Sequence, residues 1–124
     1  MRPTLVVMID TAFAKELADE WIAAWNSHDL ERVLSHYSDD FEMASPKIRE
    51  FAGEPSGVLR GKAAIGAYWR TAMAKVPGLH FELHGALVGA RSVAIHYKNQ
   101  LGKMVIEVLE LDEHRRIVRA AAHY

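Results

Sequence analysis

The chain has 124 residues, half of them hydrophobic and a quarter charged, with a formal net charge of −1 and no cysteine. A chain of this size and composition makes one soluble globular domain with room for a core and a pocket. The near-neutral charge, without runs of one sign, speaks against a nucleic-acid face or a membrane patch, and the lack of cysteine removes disulfides, thiolate metal ligands and a thiol nucleophile.

The opening MRPTLVVMID has a short apolar run that an acid ends at once. It reads neither as a secretory signal nor as a span, which needs ~20 apolar residues, and the expected location is the cytoplasm. Residues 10–27 have helical period, with Phe13, Leu17, Trp21, Ala24 and Trp25 on one stripe. Asp29 is placed to cap a second helix, LERVLSHY, whose apolar side carries Leu30, Val33, Leu34 and Tyr37. A strand, FEMASP, ends at Pro46, residues 47–57 read as irregular, and the segment from Pro46 to Gly57 is expected to cover a pocket mouth. A short strand, GVLR, precedes a third helix, KAAIGAYWRTAMAKV, which Pro77-Gly78 stops.

From residue 79 the period changes to two. LHFELHGALVGA, SVAIHYKNQ, KMVIEVLELDE and RIVRAAAHY read as four strands joined by hairpins. The class is therefore α+β in one domain over residues 1–124.

The third long strand holds two glutamates three residues apart, so they face opposite ways. Leu109 and Leu111 set the inner phase, which puts Glu107 inside and Glu110 outside. In the last strand the same logic puts Ile117, Arg119, Ala121 and His123 inside, and Val118, Ala120, Ala122 and Tyr124 outside. Glu107 then meets His123 or Arg119 across the hairpin. Two readings stay open: a buried structural pair, or a pocket acid/base dyad.

The stretches AWNSHDLERVLSHYSDDFEM, GVLRGKAAIGAYW and DEHRRIVRAAAHY together resemble the nuclear transport factor 2-like superfamily, and its SnoaL-like branch in particular. The resemblance covers residues 10–124. It implies a cone: a curved antiparallel sheet wrapped around the long N-terminal helix, three helices in all, with an apolar pocket at the open end. It also implies homodimers through the outer sheet face, where Val108, Ala120 and Ala122 are expected. Enzymes of that superfamily place an acid, base or oxyanion donor inside the cone. This chain has no Asp inside its long strands, and Glu107 is the carboxylate in that position.

Other side chains extend the candidate site. Trp25 and Trp69 suit an aromatic wall for a flat apolar ligand. Tyr37 and Tyr97 are phenols that need partners and can donate to an oxyanion. Met43 and Ser45 are expected to line the same cavity. His80, Glu82 and His84 share a strand face, but at ~3.4 Å per residue the two histidines sit too far apart for one ion, so no metal is expected. No cofactor motif is present.

Two functions follow. One is a cofactor-independent acid/base enzyme, of isomerase, cyclase, dehydratase or hydrolase type, on a small apolar molecule. Glu107, His123 and Tyr97 would be catalytic, with Trp25, Tyr37, Met43, Ser45, Trp69 and Arg119 around the ligand. The other is a non-catalytic ligand-binding or dimerisation domain.

Overall fold

The computed structural model describes residues 9–124; the apolar run of the opening stretch, at residues 5–8, lies outside the described residues. In chain order the elements are α1 (Thr11–Ser27), α2 (Leu30–Leu34), β1 (Tyr37–Ala44), α3 (Pro46–Phe51), β2 (Val58–Arg60), α4 (Lys62–Lys75), β3 (Glu82–Val88), β4 (Ser92–Lys98), β5 (Met104–Leu111) and β6 (Ile117–His123). The α+β class and the curved sheet are as the sequence implies.

Local chemistry sets the helix ends. Asp10 accepts from the Phe13 amide at 2.8 Å, which starts α1, and His28 ends it in the left-handed region at φ 60°. The stripe of α1 buries Leu17, Trp21, Ile22 and Trp25 against the sheet. Asp29 caps α2 through the Arg32 amide.

Two local features differ from expectation. The second helix stops at Leu34, so Tyr37 opens β1 instead of closing a helix. The segment read as irregular begins with a fourth helix, α3. Ser45 caps it by accepting from the Lys47 amide at 3.1 Å, Pro46 supplies a preset φ at its first position, and fully buried Ile48 pins it to the core. Gly57, at φ 73°, then turns the chain back. A Cβ there would lie 3.3 Å from the Ser45 carbonyl oxygen, so the close approach needs glycine.

The six-stranded sheet runs β2-β1-β6-β5-β4-β3. Every pair is antiparallel except β1 with β6, which is parallel. β5 is central, and its burial alternates: Val105, Glu107, Leu109 and Leu111 are buried, while Met104 and Ile106 are exposed. The inner side of the sheet carries these residues with Val93, Ile95, Tyr97, Phe41 and Met43, and α1 closes over part of it. Asn26, on α1, clamps the start of β3 through two bonds to the Phe81 backbone, at 2.7 and 2.8 Å. This double bond fixes the Phe81 ring against Trp21 and Tyr97.

Candidate functional site

Glu107 sits in the middle of β5 with 5% of its surface exposed, buried as the strand phase required. Tyr97, on β4 two residues along from Ile95, which lies opposite Glu107, donates its hydroxyl to Glu107 Oε1 at 3.3 Å. Among the described residues no ion pair reaches Glu107. Its second oxygen accepts no hydrogen bond from them. Nor is that oxygen sealed, because the sealed side-chain polar atom left without a partner is Trp25 Nε1. The free oxygen therefore opens on the cavity that Glu107 lines. Burial disfavours the charged form and pushes Glu107 from the ordinary 4.5 up to about 7; the Tyr97 bond pulls the other way but does not win.

The cavity measures about 280 Å³ and is lined mainly by apolar and aromatic side chains. Trp25 meets Trp69 edge-on, with ring centroids 4.9 Å apart, and Tyr37 and Phe41 close on Trp69 from β1. Edge-to-face aromatic pairs each add about 0.5–1.5 kcal/mol beyond burial, so these walls are preformed. Tyr37 accepts from Trp21 Nε1 at 2.9 Å, which ties α1 to β1 beneath the cavity. Burial first, and the Glu107 charge second, raise both the Tyr37 and the Tyr97 hydroxyls far above the phenol range, so both stay neutral. Met43 and Ser45 also line the cavity.

Of the residues singled out in the sequence, Glu107, Tyr97, Trp25, Tyr37, Met43, Ser45 and Trp69 come together around this one space. His123 and Arg119 do not. Leu111 pairs with Ile117 but Glu110 pairs with Arg119, so Val118 is an extra residue that reverses the phase of β6. Glu107 consequently lies opposite Ala122, while His123 is exposed beside Ile106. Arg119 lies outside and bonds Glu110 at 3.2 Å and Glu42 at 3.3 Å. Ala120 and Ala122 move inward, which leaves Val108 alone of the three residues expected on the outer face.

The same bulge brings in a residue the sequence reading left outside. Tyr124 follows Ala122 inward and lines the cavity. Burial and then the Glu107 charge push its hydroxyl up to about 12, and the Ser45 hydroxyl beside it offsets part of the rise. Lys47 and Phe51 of α3 and Asn99, Gln100 and Leu101 of the β4–β5 loop complete the lining. Phe51, Leu101 and Tyr124 are more than half exposed, which marks this end as the mouth. Phe81, held through its backbone by Asn26, also forms part of the pocket wall.

Glu82 and His84 lie exposed on the outside of β3, with His84 Nε2 3.6 Å from Glu82. No group of three His, Asp or Glu side chains among the described residues is placed to share a metal ion. No described helix is long and apolar enough to cross a membrane.

The arrangement can accept or give one proton, near neutral pH, to a small molecule held between aromatic walls. Comparison with known proteins places the fold. The chain is similar to a SnoaL-like protein of unknown function from Burkholderia thailandensis, 54% identical over 94% of this chain and 97% of that one, with a TM-score of 0.91. A cystatin-like-fold protein of unknown function from Methylobium petroleophilum is 21% identical over 94% and 78% of the two chains, with a TM-score of 0.70. A proposed isomerase of the SnoaL-like family from Agrobacterium tumefaciens is 20% identical over 88% and 94%, with a TM-score of 0.69. No curated protein matches the sequence. The SnoaL-like domain pattern matches residues 18–121, and the chain belongs to that family.

Proposed function

We propose that this SnoaL-like protein is a cofactor-independent acid/base enzyme that moves a proton on a small, largely apolar molecule bearing a carbonyl. The carrying observation is Glu107: a buried carboxyl with one phenol donor and no cation among the described residues, and with an open oxygen on an apolar cavity. A carboxyl tuned to about 7 populates both protonation states at neutral pH, which is the condition for efficient general acid/base work. In this reading Glu107 takes the proton from the carbon next to the carbonyl and returns it to another position. Tyr97 holds Oε1 in place and favours the ionised state. Tyr124 is a further neutral hydroxyl on the lining, able to donate to the substrate oxygen as it gains charge. The isomerase proposed for the Agrobacterium tumefaciens protein is compatible with such a proton shift.

Deuterium exchange into β-tetralone in heavy water, followed by proton NMR, tests this directly. The wild-type chain is expected to accelerate exchange next to the carbonyl above the buffer rate, and Glu107→Gln to lose about a hundredfold or more of that acceleration. Exchange that Glu107→Gln leaves unchanged would remove Glu107 as the base. A cavity that binds the ketone without exchange would favour a non-catalytic binding domain.

The homodimer remains part of the proposal, on altered grounds. Met104 and Ile106 on β5 and Leu87 on β3 are exposed apolar side chains of strands whose inner faces are already packed. Light scattering at micromolar concentration is expected to give twice the mass of one chain, and a monomer would remove the claim.

A further inference from the structure

The mouth of the cavity carries a charge that the proton-transfer reading does not use. Among the described residues that line the cavity, Glu107 is the one acid and Lys47 the one cation. Lys47 lies at the other end, on α3, among the exposed rim side chains Phe51, Leu101 and Tyr124. Its ammonium is held over two rings from separate parts of the chain, 4.8 Å from the Tyr124 centroid and 5.8 Å from that of Phe51. Such contacts position a cation but do not neutralise it. No ion pair among the described residues includes Lys47. Glu50, on the same helix, is exposed and is not part of the lining. The polar side chains that the β4–β5 loop adds to the lining, Asn99 and Gln100, are neutral. The cavity thus has a cation at its entrance, apolar aromatic walls and an acid at depth.

We infer that the cavity takes a small amphipathic anion, a one- or two-ring apolar body bearing a carboxylate, with the rings between Trp25, Trp69 and Phe81 and the carboxylate at Lys47. The inference rests on the pocket reading above and adds the chemical class of its ligand. The volume, about 280 Å³, lies at the low end for ligand pockets and limits the body to that size. The Glu50 charge acts on Tyr68 of the lining from outside the cavity, while Asn99 and Gln100 on the lining are neutral and supply amide donors.

The test is a binding comparison between β-naphthylacetate and its neutral isostere β-naphthylacetamide. Quenching of the intrinsic fluorescence reports occupancy, because all three tryptophans of the chain line the cavity. Work at about pH 6 keeps Glu107 mostly protonated, so the cavity floor is neutral. The carboxylate is expected to bind about fivefold more tightly than the amide at low salt, as one rim ion pair allows. Lys47→Met should erase the preference, while Lys47→Arg should keep it. Salt should narrow it in the wild type. Equal binding of both probes, unchanged by Lys47→Met, would overturn the anion inference and leave the apolar pocket standing. Quenching by neither probe would overturn the pocket and the inference with it.

Discussion

Glu107 and Glu110 sit three residues apart on one strand and meet opposite solutions to the same problem. Glu110 faces outward, is over a third exposed, and shares Arg119 with Glu42, which also pairs with Arg60. Glu107 faces inward and, among the described residues, has a single phenol donor and no cation. Water and guanidinium groups solvate the outer carboxylates, so their charge costs little and contributes little. The inner carboxyl has neither, so its charge is expensive and its proton is poised. A third carboxylate marks the far end of the range. Glu20 bonds Arg32 at 2.8 Å and His36 at 3.1 Å, and chiefly the Arg32 bond holds its carboxyl down at about 2. Partners, not residue type, decide which glutamate can do chemistry at neutral pH.

Substitutions on the two faces sharpen this contrast. Glu107→Gln has the largest expected effect on stability, and it is a gain. The Glu107 carboxyl is raised in the folded state, so its stabilising contribution is complete below the unfolded value of 4.5 and is lost as pH rises to about 7. The gap corresponds to about 3 kcal/mol. Wild type should therefore lose roughly that much stability between about pH 4 and pH 8, and Glu107→Gln should stay nearly flat. Denaturant melts at the two pH values check the difference. Tyr97→Phe comes next. It removes the one donor to the carboxylate, so at about pH 8 it should cost about 1.5–3 kcal/mol, and clearly less at about pH 5, where Glu107 is neutral. A cost independent of pH would mean that the ring, not the bond, is what Tyr97 contributes. Glu110→Gln is the smallest: an exposed pair, it should change stability by less than about 1 kcal/mol, and less still in high salt.

Much of this contrast was legible in the sequence, and the part that was not has an identifiable cause. The alternation Val105, Glu107, Leu109, Leu111 fixes the phase of β5, because a core face tolerates only one such polar position. Trp25 and Trp69, named in the sequence as an aromatic wall, likewise line the cavity. The last strand carries no such information. Ala120, Ala121 and Ala122 suit either face, so nothing in the pattern reveals that Val118 bulges and turns His123 out and Tyr124 in. The fourth helix is a different kind of miss. Ser45-Pro46 is a usable start signal, a capping hydroxyl followed by proline at the first helical position, but the glycines and proline downstream masked it. Lys47 reaches the mouth only because that helix exists.

The most direct test of the account is the titration of the Glu107 carboxyl itself. Carbon NMR of protein labelled at the glutamate side-chain carboxyl carbons, with Glu107→Gln to identify the resonance, gives its midpoint. The midpoint is expected near 7, moving upward in Tyr97→Phe as the phenol bond is lost. A midpoint near 4.5 would show that water or a cation solvates Glu107 in the folded protein, and the proposed proton transfer would lose its base.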